Sequence, residues 1–373
     1  DDARLRDVAA QQLRLMRART PTERQRFLET LWEAEQRTTV PMTKLPLPAS
    51  TPVRDRDVGL RALQRVLSVN EVVLEYVLLE PSSYCLVITA RTLRLVELAG
   101  RPQVERYASA FHDDVRLGRA GVAESGRTLF ETILTPLGID LQTTRRVVVV
   151  PDGKLHLVPF DTMASLMQST PPPFVTAPSA GVLALLRQGR RTQPSRPLLA
   201  VGGVPYETLT SAKSQAPVGD SGPAGFFDAA IPPQLPTLPL ALAEVRAVAD
   251  LVGARSVVLA GDAATESAFK RQALSQFEVL HMAAHGFADP KFPERAAILL
   301  LSDPRAGEDG LLQPREIARL RLNARLVALS VCDTAVGPTV GQEGVLNLAR
   351  AFILAGAGSV MTTLWTVSDA TSA

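Results

Sequence analysis

From Ala241 to the end of the chain, helical and strand-like segments alternate with little between them, and this alternation restricts the fold more than any other feature. Helical patterns cover Ala241 to Val252, Thr265 to Leu274, Gln313 to Arg319 and Glu343 to Ala355. Apolar, β-branched runs cover Ser256 to Leu259, Glu278 to Ala284, Ala297 to Leu301, Leu326 to Ser330 and Ser359 to Leu364. Strands that alternate with helices build a mostly parallel sheet covered on both faces, an α/β architecture. In such sheets a ligand site forms beyond the carboxyl ends of the strands. The residues that follow each strand are therefore the ones to inspect.

Two strand ends carry reactive side chains. The run Glu278-Val-Leu-His-Met-Ala-Ala-His285-Gly286 closes on His285, and Leu326-Val-Ala-Leu-Ser-Val-Cys332-Asp333 closes on Cys332. A cysteine thiolate is a strong nucleophile, and a histidine within hydrogen-bond reach can take its proton and return one to a leaving amine. Backbone amides at Gly286 and Cys332 are the candidate oxyanion donors. Against this stands the plain structural role of most cysteines, which Cys85, inside Tyr84-Cys85-Leu86-Val87-Ile88, fits well. Cys332 fits it less well, because Asp333, Thr334 and a glycine-containing loop follow.

Other candidates carry less. His281 and His285 lack the intervening glutamate of a zinc-peptidase helix, and on a strand residues four apart are ~13 Å from each other, too far to share one ion. No metal and no cofactor are expected, and His281 reads as a packed or supporting residue. His112 beside Asp113-Asp114, and His156 in a hairpin after Pro151-Asp152-Gly153, read as surface or structurally hydrogen-bonded groups. Gly202-Gly203 is followed by neither a helix nor a lysine, so it fails as a phosphate loop. The Gly337 to Gly341 segment is either a loop that covers or activates a site or a plain connector; no Gly-x-Ser-x-Gly elbow is present.

Upstream, residues 1 to 37 show helical spacing in two blocks, and the proline-bearing Thr38 to Asp57 stretch reads as a linker. Glu71 to Glu80 and Ser83 to Ala90 suggest a hairpin, followed by helical patterns at Phe111 to Leu117 and Gly121 to Leu137. The Arg145-Arg146-Val-Val-Val-Val150 run reads as a strand buried on both faces, Ser179 to Arg187 as a helix and Pro197 to Val201 as another buried strand. A Pro/Gly/Ser-rich stretch from Val204 to Pro239 follows. Three parts are expected: 1–57 helical segment and linker, 58–235 a first α/β half, 236–373 the half with the reactive residues. The first could be the end of an upstream helical repeat array.

Forty basic and 38 acidic residues give a net charge of +2, which argues against a dedicated nucleic-acid or anionic-membrane binder. Two cysteines make no disulfide framework, and no secretory leader or continuous apolar span is evident, so a cytoplasmic location is expected. The start at Asp1 and the stop at Ala373, inside Ser-Asp-Ala-Thr-Ser, read as the ends of a fragment with a truncated C-terminus.

From Val73 onward the sequence resembles the CHAT domain family, caspase-like cysteine peptidase domains related to separases and gingipains. The resemblance rests on Val147 through Asp161, His281-Met-Ala-Ala-His-Gly286, Leu329-Ser-Val-Cys-Asp-Thr-Ala335, Gly344-Val-Leu-Asn-Leu-Ala-Arg-Ala-Phe352, and Ala355 through Asp369, in the family's order. It implies a caspase-like three-layer sandwich with a mostly parallel sheet, preceded by a degenerate caspase-like half. It also implies a catalytic dyad of His285 and Cys332, whose separation is close to the ~50 residues of caspases. Relatives are bacterial effectors of the TPR-CHAT type, with helical repeats upstream and a sensor partner that switches on cleavage of a protein substrate. In caspase-like enzymes the stretch after the last core strand pairs with substrate, which maps to Trp365, Thr366 and Asp369. Asp369 either faces a basic P1 side chain or caps a helix. Ser330 stands where metacaspases carry an aspartate, and Asp333 where glutamate is commoner. The resemblance therefore implies a cysteine endopeptidase, with a catalytically silent scaffold or interaction module as the alternative.

Overall fold

The computed structural model describes residues 2–17, 20–38, 59–189, 192–206, 238–287, 296–333 and 341–365. They form two compact units: residues 50–190 make one, and residues 1–49 with 191–373 make the other. The two helices that open the chain, α1 (Asp2–Arg17) and α2 (Pro21–Thr38), belong to the second of these.

In the 50–190 unit, α3 (Leu60–Val66) precedes a sheet of β1 (Glu71–Val77), β2 (Ser82–Ile88), β3 (Leu93–Ala99), β4 (Arg146–Val150) and β5 (Phe174–Thr176), in the order β3-β2-β1-β4-β5. The β1-β2-β3 ladder is antiparallel, whereas β4 and β5 run parallel to β1. The unbroken valines of β4 follow from burial on both faces. Val147 and Val149 pack with Phe111 and Leu129 of α4 (Arg101–Arg116) and α5 (Val122–Ile133), while Val148 and Val150 pack with Leu63 and, beyond α6 (Phe160–Met167), with Ala184 of α7 (Ala180–Gln188). Buried Glu71 is held by Arg187 through two hydrogen bonds of 2.6 and 2.7 Å.

Here the structure corrects one expectation. Residues 153–157 form a 3₁₀ turn that leads into α6, not the second arm of a hairpin. Pro151 and Pro159 carry no N–H for a ladder. Asp152 instead accepts a hydrogen bond from Leu78 N–H at 2.7 Å, which draws the chain back. His156 thus lies in the 3₁₀ turn, and His112 is buried with Nδ1 3.0 Å from Leu157 O.

The second unit contains β6 (Arg196–Gly202), α8 (Ala241–Val252), β7 (Val257–Ala260), α9 (Glu266–Lys270), β8 (Phe277–Phe287), β9 (Ala297–Leu299), β10 (Leu311–Leu312), α10 (Pro314–Ile317), β11 (Leu326–Asp333), α11 (Gly341–Ala355) and β12 (Val360–Met361). Strands β7-β6-β8-β11-β12 are parallel neighbours; β9 runs antiparallel to the end of β8, and β10 antiparallel to β9. Because β6 lies inside this sheet, the first half ends before residue 191 rather than at 235.

Side-chain alternation builds three layers. Leu199, Val201, Leu280, Met282, Val327 and Leu329 pack with Phe269 of α9, Ile317 of α10 and Phe352 of α11. Leu198, Ala200 and Ala283 face the opposite way, against Ala241 and Val245 of α8. Helix α8 crosses so closely that a Cβ at Gly202 would stand 2.7 Å from Val245 Cγ1 and 2.8 Å from Ala283 O. That contact is a packing reason for the glycine. Val8, Leu15, Leu31 and Ala34 of α1 and α2 are buried in the same core as α9, α10 and α11. Among the described residues no helix is long and apolar enough to cross a membrane.

Candidate active site

Strands β8 and β11 pair in parallel from Leu326↔Val279 through Cys332↔His285 to Asp333↔Gly286. Cross-strand partners lie on the same side of a sheet, about 4.8 Å apart. Positions 285 and 332 are therefore paired at the carboxyl ends of two central strands, and the His285 side chain lies on the face of β8 that α8 covers further down. The local sequence produces this register: Val279, Leu280 and Met282 match Leu326, Val327 and Leu329, so that slipping either strand by one residue would turn apolar side chains to the wrong face.

Gly286 locks the same junction. A Cβ at this position would overlap Val331 Cγ1, so the two strands approach here only because residue 286 has no side chain.

His285 is buried, with 2% of its surface exposed. Its backbone N–H donates to Tyr206 Oη at 2.8 Å, and the Tyr206 hydroxyl donates in turn to Leu299 O at 3.0 Å. The two rings lie 4.6 Å apart, tilted by 51°. Burial pushes the Tyr206 phenol above the usual tyrosine range, so it stays protonated and able to donate. His281, also buried, has Nε2 2.9 Å from Glu244 Oε1 of α8, and the Ser330 hydroxyl donates to Glu244 Oε2 at 3.3 Å. His281, expected to be packed or supporting, is buried against Glu244, which also meets Ser330, four and two residues before positions 285 and 332 on β8 and β11.

Beside β10 lies a second polar cluster. Lys270 Nζ stands 2.6 Å from Glu266 Oε1, 2.7 Å from Glu308 Oε2 and 2.8 Å from Glu316 Oε1. Oxygens of these three carboxylates approach one another within 4.8 Å, close enough to hold a metal ion, and the ammonium occupies that position. Burial alone would favour the neutral amine, but Glu316 and Glu266 outweigh it and hold Lys270 above the usual lysine range. Burial, then the Glu316 charge, pushes Asp309 up to about 8. The buried side-chain amide of Gln12 of α1 fits among these groups, its polar atoms 2.5 Å from Asp309 Oδ2 and 2.9 Å from Arg315 Nη2. Glu35 of α2 lies 3.5 Å from Arg315 Nη1.

A model of the CHAT domain matches residues 123–373, more than half of the sequence. The chain belongs to the CHAT domain family. The match begins within α5, later than the Val73 start of the resemblance, and runs through His285 and Cys332. No curated protein matches the chain. The α/β layering and mostly parallel second sheet agree with the caspase-like fold of a CHAT domain, a type of domain related to cysteine peptidases.

Within this CHAT domain the remaining candidates are less completely placed. Trp365 follows β12 and is half-buried. Thr366, Asp369 and residues 337–340 of the glycine loop lie outside the described residues; Gly341 opens α11. Strand β12 is shorter than the expected Ser359 to Leu364 run and pairs only with Val327 and Ala328, near the start of β11. Cys85 lies in β2, fully buried, its thiol pushed up to about 12 by burial and then by Glu75. Tyr206 and Glu244 are the site residues that sequence reasoning missed. A signal existed for Tyr206 alone, an aromatic just beyond a Gly-Gly strand end.

Proposed function

We propose that this CHAT domain is a cysteine endopeptidase with His285 and Cys332 as its dyad. The observation that carries the reading is the Cys332↔His285 pairing at the carboxyl ends of parallel strands. In the proposed reaction His285 takes the Cys332 proton and the thiolate attacks the scissile carbonyl. Backbone N–H groups of Gly286 and Cys332 stabilise the oxyanion. Collapse breaks the C–N bond, the leaving amine receives the proton from His285, and a thioester remains. Water, deprotonated by His285, then hydrolyses the thioester and restores the thiol. The Trp365 to Asp369 stretch would lie along the substrate backbone, with Asp369 favouring a basic P1 side chain. A sensor partner acting through helical repeats upstream of α1 would set the activity, in a cytoplasmic setting.

The test is cleavage of a diverse peptide library by the wild type and by Cys332→Ala, with product ends read by mass spectrometry. Cuts that depend on Cys332 and follow Arg or Lys are expected. Iodoacetamide labelling gives a second readout: Cys332 should react faster than the buried Cys85, and His285→Ala should remove the difference. Equal slow labelling of both cysteines, with no Cys332-dependent cuts, would leave a non-catalytic scaffold as the better account.

A further inference from the structure

We propose that Tyr206 is the positioning residue of the dyad, fixing both the backbone and the ring of His285; the proposal rests on the peptidase reading above. The β8 ladder has a gap at His285. On one flank β8 pairs with β6 only as far as Gly202↔Ala283. Beyond it, β9 takes over that end of β8 with Gly286↔Ile298 and Phe287↔Ala297. His285 falls between the two partners, where neither strand supplies an acceptor for its N–H. A buried N–H without an acceptor is costly, and a loose strand end would let the residue wander.

Tyr206 fills this gap. The chain leaves β6 at Gly202, Gly203 adopts a positive φ of 64°, and four residues after the strand the Tyr206 side chain is fully buried at the break. Its oxygen acts in both directions, accepting from His285 N–H and donating to Leu299 O, the last residue of β9. One phenol thus replaces the missing ladder bonds and ties β8 to β9 at the catalytic position. The same ring, 4.6 Å from the imidazole, limits how far His285 can turn. A side chain needed only to fill space would not require the hydroxyl, and one needed only for the hydrogen bonds would not require contact with the imidazole. Tyr206 does both.

The experiment compares wild type with Tyr206→Phe, which keeps the ring and removes Oη. Turnover is expressed per active site titrated with an irreversible thiol inhibitor, so that misfolded molecules do not count. We expect kcat per titrated site to fall by about 10²-fold with KM unchanged, since small displacements of a catalytic group cost rates of that order. The pH midpoint of kcat/KM, which reports the dyad, should move as well. A purely structural role would lower the titratable fraction and leave per-site kcat and the pH midpoint alone, and that result overturns the proposal while the peptidase reading stands. If Tyr206→Phe does not fold, 3-fluorotyrosine at position 206, nearly the same size with a weaker acceptor oxygen, should lower per-site kcat with KM unchanged; unchanged turnover again overturns the proposal. If the wild type shows neither Cys332-dependent cleavage nor His285-dependent alkylation, the peptidase reading fails, and the positioning role with it.

Discussion

Replacing Lys270 by methionine should destabilise the second unit in a way that reverses with acid. Methionine keeps much of the length of the stem but removes the ammonium that three carboxylates share at 2.6, 2.7 and 2.8 Å. Glu266 is fully buried and Glu316 nearly so. Removing one member of a buried ion pair costs about 3–5 kcal/mol, because the partner is left charged out of water. Here three carboxylates lose one cation, but they can share the loss by taking up protons, so about 3–5 kcal/mol is expected for the whole cluster near pH 7.5. The pH dependence follows from the signs. In the wild type the raised Lys270 pKa gives stability that is complete below the unfolded value and constant between pH 5 and 8. Burial already raises Glu266 in the wild type; in the variant the lost cation raises it further, which adds a penalty above the unfolded value of ~4.3 that disappears as pH falls toward it. Urea unfolding of both proteins at several pH values between 5 and 8, with hydrogen exchange across residues 266–317 as a local probe, measures the difference. A loss well under 1 kcal/mol at pH 7.5, or a loss that does not shrink on acidification, would refute the reasoning, since the clustered charges would then be relieved by something other than Lys270.

Two more outcomes follow from the packing and the charges. Gly286→Ala places a methyl group into Val331 Cγ1, so it should cost about 1–3 kcal/mol and slow any Cys332 chemistry, with Val331→Ala in the same chain restoring much of both; an unchanged thermal midpoint for the single variant contradicts it. Asp309, pushed up to about 8, holds its proton in the folded state after the unfolded chain has lost it. Wild-type stability should therefore fall between about pH 4 and 8 by up to about 1.4 kcal/mol per unit from this group, and Asp309→Asn should flatten that slope in urea midpoints. Equal slopes in the two proteins would contradict this account.

The second sheet was legible because its strands are nearly pure apolar runs between amphipathic helices, and the sheet rule then pointed to His285 and Cys332 at two strand ends. Strand β3 was missed because its apolar residues do not sort by face: Leu93 and Leu95 are exposed on the side of Glu97, while Leu98 on the other side is buried. Strands β5, β10 and β12 are two or three residues long, too short for any period to show. The Lys270 cluster could be read only in part. Glu266 is one helical turn from Lys270, but Glu308 and Glu316 come from the segment around β10. The aromatic beyond Gly202-Gly203 marked the position of Tyr206, but its role was illegible for a related reason: it depends on where β6 stops and β9 starts, a three-strand relation that no local window contains. Placing β6 in the first half was an error of the same kind, since its partners β7 and β8 lie beyond the long 204–239 stretch.

One unit of this chain is assembled from two separated pieces, residues 1–49 and 191–373, with the other unit's sequence running between them. On a ribosome the order of emergence then matters. Helices α1 and α2 appear first, yet the sheet that buries Val8, Leu15, Leu31 and Ala34 is made only after residues 50–190 have been translated. At 5–20 residues per second that interval is on the order of ten seconds. The intervening unit can fold during the wait, while the apolar stripes of the first two helices remain without their final partner. Within this unit, the docking of the helical pair must then follow the making of the sheet that completes its core.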